Sequence, residues 1–224
     1  MKITWIGQAG FVFEANNLTI LIDPYLSDSV KEVNPCNYRR IPVNESLFDI
    51  KPDVMIFTHN HLDHYDPETV EKFLKFVDKV TVLAPTSVWN HVRKFGGSHN
   101  YVQFNRHTQW TEGEVRFTAI KAEHSDPSSI GIIINEGGQN YYLTGDTLYN
   151  SEIFEDLPND IYVVFLPING VGNNMNITDA TRFAKVCKAQ KVVPMHFGMF
   201  DEIDPEEFIC EGKVIPKIYE QMEL

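Results

Sequence analysis

The run Thr58-His59-Asn60-His61-Leu62-Asp63-His64 sets three imidazoles and a carboxylate within six positions, directly after the apolar segment Val54-Met55-Ile56-Phe57. Imidazole nitrogen and carboxylate oxygen are the usual protein ligands for zinc and neighbouring first-row metals. Side chains alternate along an extended segment, so His59 and His61 point to one side, and a sharp turn then aims Asp63 and His64 across the same hollow. A single histidine beside an apolar run is ordinarily a packing or surface residue. Three of them with an aspartate, next to a buried strand, would leave charge or polar atoms unmet without a cation. The run reads as a metal-binding loop able to serve two adjacent ions.

Three further residues occupy comparable places. His124 follows the alternating segment Val115-Arg116-Phe117-Thr118-Ala119-Ile120 and opens the loop His124-Ser125-Asp126-Pro127. Asp146 follows Tyr141-Tyr142-Leu143-Thr144-Gly145, and His196 follows Lys191-Val192-Val193-Pro194-Met195. In α/β proteins, functional groups converge at strand ends along one rim. Alone, Gly145-Asp146-Thr147 would read as turn chemistry; beside the other ligands Asp146 reads as one of them. His91, His99 and His107 lack such a setting and read as surface or packing residues.

The elements that must position these residues alternate along the chain. Residues 2–6, 11–15 and 19–22 read as antiparallel strands, with Asn16-Asn17 turning the last pair. Residues 54–58 form a buried strand into the ligand loop. Asp66-Pro67-Glu68 starts a helix with a capping carboxylate, a proline at the first position and an acid at the positive end. Val70, Phe73, Leu74 and Val77 give that helix its apolar face. Residues 80–84 form a strand, and 86–95 a helix stopped by Gly96-Gly97. Residues 100–104, 114–122, 130–135 and 141–144 read as a meander, with Gly137-Gly138 turning the last pair. Strands 161–166 and 191–195 flank a helix from about 178 to 189, with Thr178 at its N-cap and Ala180, Phe183, Ala184 and Cys187 as its buried stripe. Cys187 is thus a core residue rather than a nucleophile. A final helix begins near Asp204-Pro205-Glu206. Residues 26–47 lack periodicity, contain Asn34-Pro35 and Ile41-Pro42, and read as a long loop of the kind that forms lids or binding walls.

Length and composition bound the answer. The 224 residues, 43% of them hydrophobic, suit a single α/β domain spanning 1–224. Apolar runs fall well short of the roughly 20 residues that span a bilayer, so no membrane association is expected. Cys36, Cys187 and Cys210 are an odd, dispersed set, which points to a reducing cytoplasm rather than a disulfide framework. The N-terminus is strand-like and lacks a secretory apolar region. A net charge of −12, with no basic stripe, opposes binding to nucleic-acid phosphates. The one cationic pair near aromatic surface is Arg39-Arg40 beside Tyr38. It reads either as an ordinary solvated pair or as a grip on an anionic small-molecule substrate, since guanidinium recognises phosphate and carboxylate bidentately. A homo-oligomer is compatible with the sequence, which is silent on assembly.

With these residues in place, the chain resembles the metallo-β-lactamase superfamily of metal-dependent hydrolases. The His-x-His-x-Asp-His signature at His59 to His64, then His124, Asp146 and His196, carries the resemblance. Trp5-Ile6-Gly7-Gln8-Ala9-Gly10-Phe11, Ile22-Asp23-Pro24, Thr144-Gly145-Asp146-Thr147, Ile177-Thr178-Asp179 and Val192-Val193-Pro194-Met195-His196-Phe197 extend it, and are similar to the branch containing L-ascorbate-6-phosphate lactonase. Two runs of strands supplemented by helices already suit two sheets packed face to face with helices outside. The resemblance implies a four-layer αββα sandwich, α/β (α+β) in class, with its metal site at one rim.

The resemblance also implies two divalent ions, zinc foremost, with manganese or iron as alternatives. His59, His61 and His124 would hold the first; Asp63, His64 and His196 the second; Asp146 would bridge both. Two ions about 3.5–4 Å apart can share a water, lower its pKa and polarise a carbonyl or phosphoryl oxygen. Asp63 and Asp146 are then the catalytic carboxylates, Asp63 steering the attacking hydroxide and passing its proton onward. Asp23 looks like the residue that orients a ligand histidine, with a simple turn aspartate as its rival. The implied activity is hydrolysis of a small anionic ester or lactone. A phosphodiesterase on a small nucleotide or lipid-derived diester is the nearest alternative. A di-iron oxidoreductase of the same fold is the alternative from a different class, disfavoured by His61 in the position such proteins give to glutamate.

Overall fold

A computed structural model describes residues 1–15 and 17–224 of the chain. Asn16, and with it half of the expected Asn16-Asn17 turn, lies outside the described residues. Twelve strands form two six-stranded sheets among the described residues. The first takes β1 (Lys2–Gly7), β2 (Gly10–Ala15), β3 (Leu18–Ile22), β4 (Val54–Ile56), β5 (Thr81–Ala84) and β6 (Asn100–Gln103) in that spatial order. The second runs β12 (Lys191–Met195), β11 (Ile161–Pro167), β10 (Gln139–Leu143), β9 (Ile130–Glu136), β8 (Val115–Lys121) and β7 (Gln109–Glu112). Each sheet is antiparallel in one half and parallel in the other. The parallel halves are those crossed by helices: α2 (Pro67–Phe76) between β4 and β5, α3 (Thr86–Val92) between β5 and β6, α4 (Ile177–Cys187) between β11 and β12. A parallel neighbour needs such a crossover, whereas a hairpin returns antiparallel.

Strict alternation explains the layers. Phe11, Phe13, Ile20, Ile22, Val54 and Ile56 face the second sheet in the central core, while Val12, Leu21, Met55 and Phe57 face Val70, Phe73, Val88 and Val92 of α2 and α3. Successive side chains on a strand leave by opposite faces, so a strand covered on both sides must be apolar throughout. Phe165 of β11 bridges the sheets, its ring centroid 4.9 Å from Phe11 and 5.7 Å from Phe13. On the far side Ala180, Phe183 and Ala184 of α4 cover the second sheet. The result is the expected αββα sandwich.

Several expected elements are corrected. Residues 100–103 do not join the meander; α3 delivers them parallel to β5 in the first sheet. The meander instead begins with β7, whose sequence Gln109-Trp110-Thr111-Glu112 is polar because it lies at a sheet edge. The loop at 26–47 contains a short helix, α1 (Ser29–Val33), and runs into a 3-10 turn at Glu45–Asp49. Asn176, not Thr178, caps α4, its side chain accepting from Asp179 N. The final helix is only a 3-10 turn, Pro205–Glu207. Asp66 caps α2 as expected, accepting from Glu68 N and Thr69 N.

Candidate metal centre

Four strand ends converge at one rim. Beyond β4 the chain passes through Thr58 to His59 and folds into a turn in which His64 N and Tyr65 N both bond His61 O. That turn reverses the chain so that Asp63 and His64 face the hollow that His59 and His61 already enter. Asp23, at the end of β3, holds the loop from beneath: it accepts from Thr58 N at 2.8 Å and lies 2.9 Å from His64 Nδ1. With Nδ1–H given to Asp23, His64 presents Nε2 inward. His124 is oriented likewise, its Nδ1 3.2 Å from the Asn173 carbonyl. Asp146 follows Gly145, whose φ of +62° and close approach to the Ile130 carbonyl and Thr58 leave no room for a Cβ. The backbone there takes the one residue that tolerates both conditions.

Two groups of potential ligand atoms result, each with its atoms within 4.8 Å of one another: His59, His61, His124 and Asp146; and Asp63, His64 and His196. The Asp146 carboxylate touches both. Its oxygens lie 3.2 Å from His64 Nε2 and from His196 Nε2, and 4.0 Å from the Nε2 atoms of His59 and His124. His59 Nε2, His64 Nε2 and Asp146 Oδ1 are all buried without a hydrogen-bond partner; the 3.2 Å approach between the last two is not aligned as a hydrogen bond. Buried polar atoms left unpaired are costly, and converging imidazole nitrogens and carboxylate oxygens are the donor set of zinc and its neighbours. The residues fit divalent metal ions.

Charge differs between the groups. Burial, and then the neighbouring His64 charge, push His59 well below the usual histidine range, and burial likewise lowers His124. Burial also opposes protonation of His64 and His196, but Asp146 and Asp63 outweigh it, raising His64 well above its usual value and His196 to about 10. Against the same burial penalty, His64 and His196 hold the carboxyls of Asp63 and Asp146 far below their usual range. The protonated forms of His64 and His196 are thus favoured by two carboxylates, Asp63 of the second group and Asp146 of the first.

Three residues at the centre carry no role in the sequence reading. Gln8 Nε2 donates to Asp63 Oδ2 at 2.7 Å, and Asn174 Nδ2 to Asp146 Oδ2 at 2.7 Å. Each of these two carboxylates is held by one carboxamide. Asp126 accepts from Asn60 N, Ser128 N and the Ser87 hydroxyl, tying the ligand loop to α3. The Asn173-Asn174-Met175-Asn176 run and the Gly7-Gln8-Ala9-Gly10 turn were the available signals. Arg39 and Arg40 are not drawn to the ligands. Arg39 lies over the Tyr25 ring and donates through Nη1 to the Tyr25 carbonyl at 2.7 Å, leaving Nε and Nη2 buried without partners. Arg40 lies over Tyr38 and 3.8 Å from exposed Glu202. His99 and His107 meet Leu74 O and Asp156, and His91 is exposed.

Above the ligands lies a cavity of about 280 Å³ with His61, Asp63, Asp146 and His196 at its floor. Val30, Val171 and Phe200 form apolar walls. A larger hollow of about 500 Å³ beside α4 and Cys210 holds none of the ligand residues, so volume alone does not locate the chemistry.

A two-sheet sandwich with histidine and aspartate ligands at its rim defines the metallo-β-lactamase class of fold. The family described as "Beta-lactamase superfamily domain" matches residues 2–196. A UPF0173 metal-dependent hydrolase of Methanosarcina mazei is 31% identical, covering 97% of this chain and 94% of the relative. The chain belongs to this superfamily and, within it, to the UPF0173 family. Among solved structures, a metallo hydrolase from the archaeon Ignicoccus hospitalis is similar in fold, with a TM-score of 0.78 and 22% identity over 99% of this chain and 97% of that one. So is a diiron β-hydroxylase from Streptomyces venezuelae, with a TM-score of 0.78 and 16% identity, all of this chain matching 54% of that one. The fold thus serves two chemistries, and the ligands must decide between them.

Proposed function

We propose that the protein is a metal-dependent hydrolase that opens a small anionic ester or lactone, with two divalent ions, zinc foremost. The observation that carries this reading is the set of unpaired buried atoms, His59 Nε2, His64 Nε2 and Asp146 Oδ1, meeting beneath a cavity open to a small molecule. His59, His61 and His124 would hold one ion, Asp63, His64 and His196 the other, and Asp146 both. Ions bound there would acidify water and polarise the reacting carbonyl. The protein's own part is to orient and to move protons. Asp63, partly open to the cavity with its side chain 18% exposed, is placed to take the proton of the attacking water and return it to the leaving group. Three imidazoles in the first group, with no carboxylate besides Asp146, suit hydrolysis rather than oxygen chemistry.

The anionic part of the substrate rests on Arg39. Its Nε–Nη2 edge, buried and unpaired, is the edge that Arg106 gives bidentately to Asp156, and Tyr25, which it covers, packs on Phe200 of the cavity wall at 5.7 Å. Arg39→Gln is expected to raise KM about tenfold for a phosphorylated or carboxylated lactone, the worth of one charged hydrogen bond, while leaving a neutral lactone unchanged. Screening zinc-loaded protein against charged and neutral lactones, esters and phosphodiesters, before and after chelation, tests the whole reading. Turnover that survives complete metal removal would end it, and turnover of phosphodiesters alone would replace the substrate class. The protein is placed in the cytoplasm by the same proposal. No helix among the described residues is long and apolar enough to cross a membrane.

A further inference from the structure

Four non-glycine residues with positive φ stand at the metal centre: Gln8 at +52°, Asp23 at +40°, Asn173 at +63° and His196 at +59°. Strained backbone that persists at a site points to a job done by the residue held there. Asp23 meets His64, the Asn173 carbonyl meets His124, and His196 is a ligand candidate. Gln8 is the unexplained one. Its carbonyl accepts from Trp5 Nε1 at 2.9 Å and from His196 N at 3.0 Å. A glycine would make both bonds without strain. What glutamine adds is its carboxamide, which is buried at 2% exposure.

That carboxamide is spent on the second ligand group. Nε2 donates to Asp63 Oδ2 at 2.7 Å, and this oxygen is the one 3.2 Å from His196 Nε2. The same nitrogen lies 3.3 Å from His196 Nδ1 and 3.1 Å from Nε2. Being near both, it lies on the lone-pair axis of neither, so it packs against the ring and leaves Nε2 free to face the hollow. Among the described residues, Gln8 makes no hydrogen bond to His59, His61 or His124. We propose that Gln8 is a positioning residue for the second metal site alone, fixing the Asp63 carboxylate through its side-chain N–H and packing against the His196 ring. Groups that orient metal ligands typically change affinity 10- to 100-fold when removed.

The inference rests on the two-ion reading, and zinc titration against a chromophoric chelator tests both. In Gln8→Met, which keeps the length and loses the donor, the second equivalent of zinc is expected to weaken at least about tenfold while the first keeps its affinity. Gln8→His restores an N–H and is expected to recover most of the loss. An unchanged second equivalent, an equal loss at both equivalents, or a failure of histidine to rescue would each overturn the role given to Gln8. Wild-type protein that takes up no zinc would instead overturn the metal reading beneath it.

Discussion

Asp146 and Asp156 lie ten positions apart on the same connection out of β10, and both are nearly buried, at 4% and 8% side-chain exposure. Asp156 is fully met: Arg106 grips it through Nε at 2.7 Å and Nη2 at 3.0 Å, His107 Nε2 lies at 3.1 Å, and Lys121 N donates at 2.9 Å. Asp146 receives one carboxamide on Oδ2 and has nothing aligned on Oδ1, though four imidazoles crowd the carboxylate. A buried carboxylate whose lone pairs are all taken is a staple between segments. One that keeps an oxygen open among imidazole nitrogens is a place for a cation. The difference lies in what surrounds the carboxylate, since residue type and burial are shared.

Substitution should therefore separate the two. Asp146→Ala removes the carboxylate that lies within 4.0 Å of imidazoles in both ligand sets, so metal content is expected to fall sharply and any hydrolytic rate by about 10³-fold or more, the loss of several kcal/mol of charge stabilisation. Metal analysis of the purified variant beside its rate checks this; full occupancy would erase the contrast. Asp156→Ala should do the reverse. Breaking a buried ion pair costs roughly 3–5 kcal/mol, but Arg106 is 39% exposed and solvent screens it, so about 2 kcal/mol is expected. Denaturant unfolding measures that loss, with zinc uptake per folded molecule unchanged.

The ligands were legible because their signal is local. Type, spacing and position at a strand end marked His59 to His64, His124, Asp146 and His196, and the structure gathers all seven at one rim. The long strands and α2 were legible for the same reason, with periodicity and a capping Asp66 inside one window. What escaped is non-local. Gln8 meets Asp63 across 55 positions and Asn174 meets Asp146 across 28, and no window contains either pair. The place of β6 beside β5 is not legible locally, because pairing order depends on where α3 returns the chain. β7 was hidden by its edge position, which lets polar residues stand where apolar alternation would have announced a strand. Arg39 and Arg40 are adjacent in sequence yet meet different partners, a divergence that the loop's conformation alone decides.

The weakest effect that should still distinguish the two aspartates is acid sensitivity. Burial by itself would raise the Asp156 carboxyl, but Arg106, the Lys121 amide and His107 together hold it at about 2. In the unfolded chain it titrates near 3.9. A group with a depressed folded pKa contributes stability that is complete above the unfolded value and is lost as pH falls through the folded one. The stability gap between metal-free wild type and Asp156→Asn should accordingly be constant above about pH 5 and narrow steadily towards pH 2. Taking the difference cancels the acid titration of His64, His196 and the other groups common to both proteins. A gap that stays constant down to pH 2 would show that the Asp156 cluster holds through neutral hydrogen bonds, and the contrast with Asp146 would then rest on geometry without charge.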